Sequence, residues 1–316
     1  MSAPSFISWL GHGAASLAAP GVFTDATMHM FGFEADQAAM QKTVDTLLNP
    51  AGCGQVSYEV ALPLGMVSFL DIAQCTSGTD VVGWLPGRET AFWIPLIEKH
   101  ADPLDDRFVF WSPYIFISYT IGMVTGREIW GWPKVLADIT VASDNPADPV
   151  YACKTTYFPT LAATTRGLTD TLFQITSTPG SGVAASLWTD AEDAVAGLIG
   201  TFLGGLAGKL AAALHLSPEL PSVALKQFRQ PGSASEACYQ AIVDSPITPT
   251  TFKSGGPLFD TFSLEITTCE SHQIVPDFFG RTADPGSNTV PIKVAAWIGM
   301  DFEATTGKNV VVAPVS

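Results

Sequence analysis

Residues 125–136 read Thr-Gly-Arg-Glu-Ile-Trp-Gly-Trp-Pro-Lys-Val-Leu and contain an unusual lysine. Lys134 has no other charged residue within three positions on either side, in a chain with fifteen Lys and Arg residues. Pro133 fixes its own φ and disfavours the α region for the residue before it, so the backbone here is stiff. The pattern predicts an amine that a rigid, apolar segment holds in one place.

A lysine in such a setting has two interpretations. In the first, its apolar stem is buried and its ammonium group reaches water. In the second, it forms a Schiff base, which requires an uncharged amine near neutral pH although the unperturbed pKa is about 10.4. Burial lowers a lysine pKa by up to roughly 3–5 pH units. Apolar neighbours are therefore what a Schiff-base lysine requires.

The lysine segment resembles the active-site segment of the acetoacetate decarboxylase family. Residues 126–134 share with it Gly-Arg-Glu, two further residues, Gly, an aromatic residue, Pro and Lys. Residues 89–96 are similar to the upstream family segment that begins with an active-site glutamate. A weaker resemblance extends over most of residues 23–268. The resemblance as a whole implies a Schiff-base lyase without a cofactor, in which Lys134 and Glu89 are catalytic.

Five further residues are candidates for binding the substrate, and several have a plain structural alternative. Trp130 and Trp132 would keep the site dry. Arg127 would either bind the substrate or, as the structural alternative, form a charge pair that braces the turn together with Glu128. Asp71 matches an acid of the family on about the same strand, or is an acid in a turn or at a strand edge. The candidate set is Arg127, Trp130, Trp132, Asp71 and Arg88. A surface pair between Glu89 and Arg88 is the alternative to a catalytic Glu89.

The sequence departs from the family pattern at two places. The family has a second lysine directly after the first, where this chain has Val135. The family also has an early arginine near the substrate carboxylate, but residues 24–28 read Thr-Asp-Ala-Thr-Met and no arginine precedes Arg88. Desolvation would then lower the lysine pKa alone, or together with Arg127 or Arg88. A carboxylate-bearing substrate would need another residue to bind it.

These observations lead to one main functional hypothesis and two alternatives. The main hypothesis is a lyase that decarboxylates a 3-oxo acid through an iminium and an enamine on Lys134. The first alternative keeps the imine but is an aldolase, dehydratase or cyclase acting on a larger oxo acid or a polyketide-like substrate. The second alternative is a non-catalytic barrel that binds a small molecule, because a fold does not fix a function.

Composition limits the classes of partner. Apolar residues make up 47% and charged residues 14%, which indicates extensive burial or an oligomer interface and favours a homo-oligomer. A net charge of −15 argues against nucleic acid as a partner, since phosphate contacts need clustered Lys and Arg. The partner we expect is a small-molecule oxo acid or ketone.

Cysteine and histidine spacing favour neither a disulfide framework nor a metal site. The five cysteines are widely spaced and odd in number, so reduced thiols in the cytoplasm are the default. No HxxxH or HxH spacing occurs, and we expect no metal. The apolar residues 6–22 lack the basic start of a secretory signal.

Hydrophobic periodicity predicts a mainly β, α+β fold over a single domain, residues 1–316. Residues 34–48 have helical spacing, and alternating or β-branched runs predict strands from residue 56 onward. Residues 188–216 predict a helical insertion, whose uncharged part, residues 194–208, is too short to cross a membrane. Many short strands with a few flanking helices favour a closed antiparallel β-barrel-like sheet that encloses the pocket.

Overall fold

The computed structural model describes residues 5–13, 15–141, 150–178, 219–281 and 287–313. Within these ranges the chain is mainly β, as expected, and its elements are as follows. The strands are β1 (Gly21–Glu34), β2 (Ser57–Val60), β3 (Leu64–Ser77), β4 (Leu85–Lys99), β5 (Arg107–Ile117), β6 (Lys134–Thr140), β7 (Tyr151–Tyr157), β8 (Leu168–Thr178), β9 (Ser222–Gln230), β10 (Ser233–Asp244), β11 (Ile247–Pro257), β12 (Thr261–Thr267), β13 (Ser287–Pro291), β14 (Val294–Ala304) and β15 (Lys308–Val312); the α-helices are α1 (Gln37–Leu47), α2 (Thr120–Thr125) and α3 (Ile274–Phe279).

The main core lies on one face of the central strands. Phe92 on β4 packs edge to face on Phe173 of β8, with 4.9 Å between the ring centroids. Phe116 on β5 lies 5.6 Å from Phe173, and Phe31 on β1 lies 6.4 Å from Phe69 on β3. All five rings are fully buried. Because side chains alternate along a strand, the opposite face of the same strands is free to build the site.

The predicted closed barrel is wrong. The described strands form a sheet with an open path, β11-β14-β1-β3-β4-β5-β6-β7-β8-β12-β13, and the two end strands do not pair with each other. The sheet forks at β5, which pairs antiparallel with β4 but parallel with both β6 and β9. At the fork, residues 115–117 of β5 pair with β6 and residues 110–111 pair with β9, so the sheet divides into two branches and does not continue as one ring. The two parallel pairs also correct the purely antiparallel expectation.

The helix predicted over residues 34–48 is present as α1. Asp36 begins it, since its side chain accepts hydrogen bonds from the backbone N–H groups of Ala38 and Ala39. Met40 and Val44, one turn apart, are fully buried against the main core. The helical insertion predicted for residues 188–216 lies outside the described residues. Among the described helices, none has the length and apolar character needed to span a bilayer.

The path into the lysine segment differs from the sequence-based expectation. The aromatic and β-branched residues at positions 108–121 favour one strand that leads directly into the lysine segment, but β5 ends at Ile117 and α2 follows. Lys134 is instead the first residue of β6 and pairs in parallel with Ile115. A parallel pair needs a crossover connection, and α2 with the turn after it supplies one.

Candidate active site

A π-helical turn, Gly126–Trp130, places Lys134. It ends at Gly131, which has a φ of 79°, and the backbone N–H of Trp132 donates to the carbonyl oxygen of Gly126 at 3.1 Å. A Cβ on Gly131 would lie 2.6 Å from the Cα of Lys226 on β9, so the position needs glycine for both its backbone angle and its space. π-Helical turns are frequent at functional sites.

The Lys134 side chain is buried, with 5% of its surface exposed. Its stem lies over Gly126, where an added Cβ would be 2.6 Å from the lysine Cδ. The Gly-Arg-Glu motif therefore has a steric reason, because its glycine leaves the space that the lysine stem fills. The sequence-based alternative, an ammonium group that reaches bulk water, does not fit this burial.

Glu89 is the charged partner of Lys134. The lysine Nζ lies 2.5 Å from Oε2 of Glu89, whose side chain is 18% exposed. Glu89 lies in the interior of β4 and not at its start, and its cross-strand neighbours are Leu70 on β3 and Ile117 on β5. At this distance a proton can pass directly between the carboxylate and the amine.

Two stacked tryptophans form one wall of the site. The rings of Trp130 and Trp132 lie 4.7 Å apart and nearly parallel, and the lysine Nζ lies 4.6 Å from the centroid of the Trp132 ring. Both indole N–H groups have partners: Trp130 donates to the carbonyl oxygen of Thr305 and Trp132 to the hydroxyl of Ser245. Both indole rings are therefore held in place by their N–H hydrogen bonds, and the Trp132 ring presents its face to the amine.

A cavity of about 40 Å³ adjoins the amine, enough for a few water molecules. Leu17, Phe23, Leu85 and Trp132 contribute apolar walls. Leu17 comes from the N-terminal segment, and its backbone N–H donates to the Thr125 hydroxyl at 3.0 Å. Leu17, Ala18 and Gly21 from this segment therefore pack over the site.

Two polar side chains also line the cavity, Cys75 and Tyr119. They lie side by side, because a Cβ on Gly87 would be 2.3 Å from Cε1 of Tyr119 and 3.0 Å from Sγ of Cys75. Burial raises the pKa of Cys75 to about 11, against smaller lowering effects of Tyr119 and Lys134. Burial, with the nearby Cys75 and Glu89, also raises the pKa of Tyr119. Both groups are therefore protonated and uncharged at neutral pH.

Asp71 and Arg88 form a separate ion pair. Arg88 Nη2 lies 3.3 Å from Asp71 Oδ2, both side chains are nearly half exposed, and Arg88 Nη1 donates to the Ile139 carbonyl oxygen. Asp71 and Arg88 are cross-strand neighbours, one position along from Leu70 and Glu89, so they project from the opposite face of the sheet. The structure does not bring this pair to the lysine amine.

Arg127 and Val135 also point away from the amine. The exposed Arg127 uses its guanidinium to donate to the backbone carbonyl oxygen of Lys134 at 3.2 Å, so it braces the turn. Val135 packs against the main core, on the other face of β6. Neither Val135, at the position of the family's second lysine, nor Arg127 therefore supplies a positive charge next to the Lys134 amine. Among the described residues, no group of three or more His, Cys, Asp and Glu is arranged to hold a metal ion.

Sequence reasoning missed Cys75, Tyr119 and Leu17 as lining residues. They lie 59, 15 and 117 positions before Lys134, and none belongs to the family-like strings. No local pattern could have found Cys75 or Leu17. For Tyr119, the nearby Gly122 was the one available signal, because a bulky ring three residues before a glycine on a helix has space to pack there.

A comparison with protein families finds one match. The family model described as acetoacetate decarboxylase (ADC) matches residues 8–192, which is more than half of the chain and includes Glu89 and Lys134. No curated protein sequence matches the chain.

Solved structures share the fold over nearly the whole chain. An acetoacetate decarboxylase from Legionella pneumophila is 15% identical, with a TM-score of 0.61 over 99% of both chains. An acetoacetate decarboxylase-like enzyme from Sphingomonas wittichii RW1 is 15% identical, with a TM-score of 0.58 over 99% of this chain and 100% of that one. The enduracididine biosynthesis enzyme MppR, complexed with the condensation product of pyruvate and imidazole 4-carboxaldehyde, is 15% identical, with a TM-score of 0.54 over 96% and 94%. At these identities the likeness shows the fold alone.

Proposed function

The chain belongs to the acetoacetate decarboxylase family, and we propose that it is a lyase in which Lys134 forms a Schiff base with a small carbonyl compound. The contact that carries this proposal is the one between the buried Lys134 Nζ and Glu89 Oε2, at 2.5 Å. A buried amine beside a carboxylate has a base that accepts its proton and a dry pocket in which the carbonyl carbon can be attacked.

The reaction begins when Glu89 accepts a proton from the Lys134 ammonium group. The amine adds to the carbonyl carbon, the carbonyl oxygen leaves as water, and the iminium nitrogen then withdraws electrons from the neighbouring carbon. The next bond breaks and its electron pair forms an enamine. Glu89 returns its first proton to the departing water, takes up another from water or, in aldol cleavage, from the hydroxyl group, and passes it to the enamine carbon. Hydrolysis then releases the product and the lysine. Covalent catalysis divides one difficult step into easier ones.

Two kinds of bond cleavage fit these reaction steps. In a 3-oxo acid, the bond to the carboxylate breaks and carbon dioxide leaves, as the family name suggests. In a 3-hydroxy carbonyl compound, the bond to the hydroxyl-bearing carbon breaks while a base removes the hydroxyl proton, which is aldol cleavage. One observation favours the second reaction. Arg88 is paired with Asp71, and Arg127 donates to the backbone carbonyl oxygen of Lys134, so neither guanidinium lies near the amine to bind a substrate carboxylate.

Reductive trapping tests the proposal. With borohydride and a carbonyl compound, we expect the peptide that contains Lys134 to gain the mass of the reduced adduct. The variant Lys134→Met keeps the buried stem and should gain none, whereas the exposed control Lys42→Met should label like the wild type. A passive binder would give no adduct with any carbonyl compound, and that result would refute the proposal.

A further inference from the structure

Tyr119 occupies a slot that two glycines create. A Cβ on Gly87 would lie 2.3 Å from Cε1 of the ring, and a Cβ on Gly122 would lie 2.4 Å from its Cζ. Any other residue at either position would displace the ring. Gly87 precedes Glu89 by two positions on β4, so both point to the same face of the strand. The same stretch of strand thus seats the Tyr119 ring and presents the carboxylate.

The Tyr119 hydroxyl is the neutral donor of the site. The Cys75 thiol lies beside the Tyr119 side chain, and both residues line the cavity that Lys134 lines. A thiol is a weak hydrogen-bond partner, so a carbonyl or hydroxyl oxygen that enters the cavity would be a better acceptor for the hydroxyl group. The slot fixes the ring, and the donor is therefore in place before a substrate arrives.

The charges next to the amine already balance. Lys134 contributes one positive charge and Glu89 one negative charge, 2.5 Å apart. An iminium on Lys134 keeps the positive charge, so an uncharged substrate leaves the balance unchanged. A substrate carboxylate would add a negative charge next to Glu89, among apolar walls such as Leu17 and Phe23. Placing a charge there without a partner is unfavourable because its lost hydration is not replaced.

We infer that the pocket takes a small, uncharged carbonyl compound and that the Tyr119 hydroxyl donates a hydrogen bond to an oxygen of that compound. This inference rests on the proposed imine at Lys134. It selects aldol-type cleavage in an uncharged compound over loss of carbon dioxide from an oxo acid. Tyr119 thereby becomes a substrate-binding residue of the site.

The charge preference is tested with two probes of nearly equal size, pentane-2,4-dione and 3-oxobutanoate, which differ by one negative charge. Labelling of the Lys134 peptide is followed by mass with cyanoborohydride present, and each rate is divided by that of a free lysine amide. We expect the dione to label at least about tenfold faster after this correction. Equal or faster labelling by 3-oxobutanoate would overturn the inference. No labelling by either probe would instead refute the imine itself.

The hydrogen-bond donor is tested with Tyr119→Phe. The control is Tyr239→Phe, whose hydroxyl contacts Asn309 on β15 and does not line the cavity. We expect Tyr119→Phe to label with the dione about tenfold more slowly than the control, the size of one lost hydrogen bond. The same rate in both variants would contradict the assignment.

Discussion

At the scale of single residues, the space left by glycine decides where the reactive groups lie. The Lys134 stem fills the space over Gly126, and its amine meets Glu89 at 2.5 Å. The same lysine lies next to the Trp132 ring. The amine therefore has one orientation, in contact with the group that can move its proton.

Replacing Gly126 tests this orientation. In Gly126→Ala the new Cβ would lie 2.6 Å from Lys134 Cδ, and we expect the stem to move and adduct formation to slow about 100-fold. Gly83→Ala is the matched control, because nothing lies within 4 Å of its Cβ position. Labelling rates and thermal unfolding are measured for both. Unchanged labelling of a folded Gly126→Ala would show that the stem position is not required.

Replacing Glu89 tests its role in proton transfer separately from the formation of the Lys134 adduct. We expect Glu89→Gln to keep the fold and to lower kcat by a factor of about 10²–10⁴, the usual contribution of a positioned acid or base. Glu59→Gln, at an exposed position of β2, is the control. Steady-state kinetics with a substrate found by trapping would measure the effect. A kcat equal to that of the control would remove Glu89 from the mechanism.

At the scale of elements, the crossover between β5 and β6 builds the site. The chain leaves β5 at Ile117, forms α2 and the π-helical turn, and returns as a parallel strand whose first residue is Lys134. Gly131 permits this return, since it has a positive φ and touches the backbone of Lys226 on β9. The turn therefore joins the lysine strand to a strand that follows much later in the chain.

Gly131→Ala tests the crossover. An alanine with positive φ is strained, and its Cβ would contact the Lys226 backbone at 2.6 Å, so we expect a loss of more than about 2 kcal/mol in the free energy of unfolding. Gly232→Ala on the β9–β10 turn has open space at its Cβ and should change little. Denaturant unfolding compares the two. Equal midpoints would mean that the turn adapts without cost.

At the scale of the whole molecule, a buried ionic cluster joins distant strands. Glu98 on β4 is 1% exposed and accepts hydrogen bonds from Tyr58 at 2.9 Å and from Arg107 at 2.7 Å, and its Oε1 lies 2.8 Å from the His100 ring. Arg107 also pairs with Asp244 of β10 at 2.8 Å. Burial raises the pKa of Glu98, but the hydrogen bonds and charge of Arg107, with those from His100 and Tyr58, outweigh it and lower the pKa overall.

The lowered pKa of Glu98 predicts how stability depends on pH. A carboxylate whose folded pKa lies below its unfolded value of about 4.5 stabilises the protein fully above that value. The contribution is lost as the pH falls through the folded pKa. We expect the free energy of unfolding to decrease over this acidic range and Glu98→Gln to flatten the decrease, while Glu59→Gln does not. The same acid slope in both variants would contradict the prediction.

The sequence by itself determined the mainly β class, helix α1 and the family, because periodicity and a nine-residue string are local properties. It also singled out Lys134, whose apolar setting and stiff neighbours lie within a few residues. Only the tertiary structure decided that the sheet forks at β5 and stays open, that Arg88 and Asp71 face away from the amine, and that Tyr119 faces the cavity. These outcomes depend on strand register and on the space left by distant glycines, which no local stretch of sequence contains.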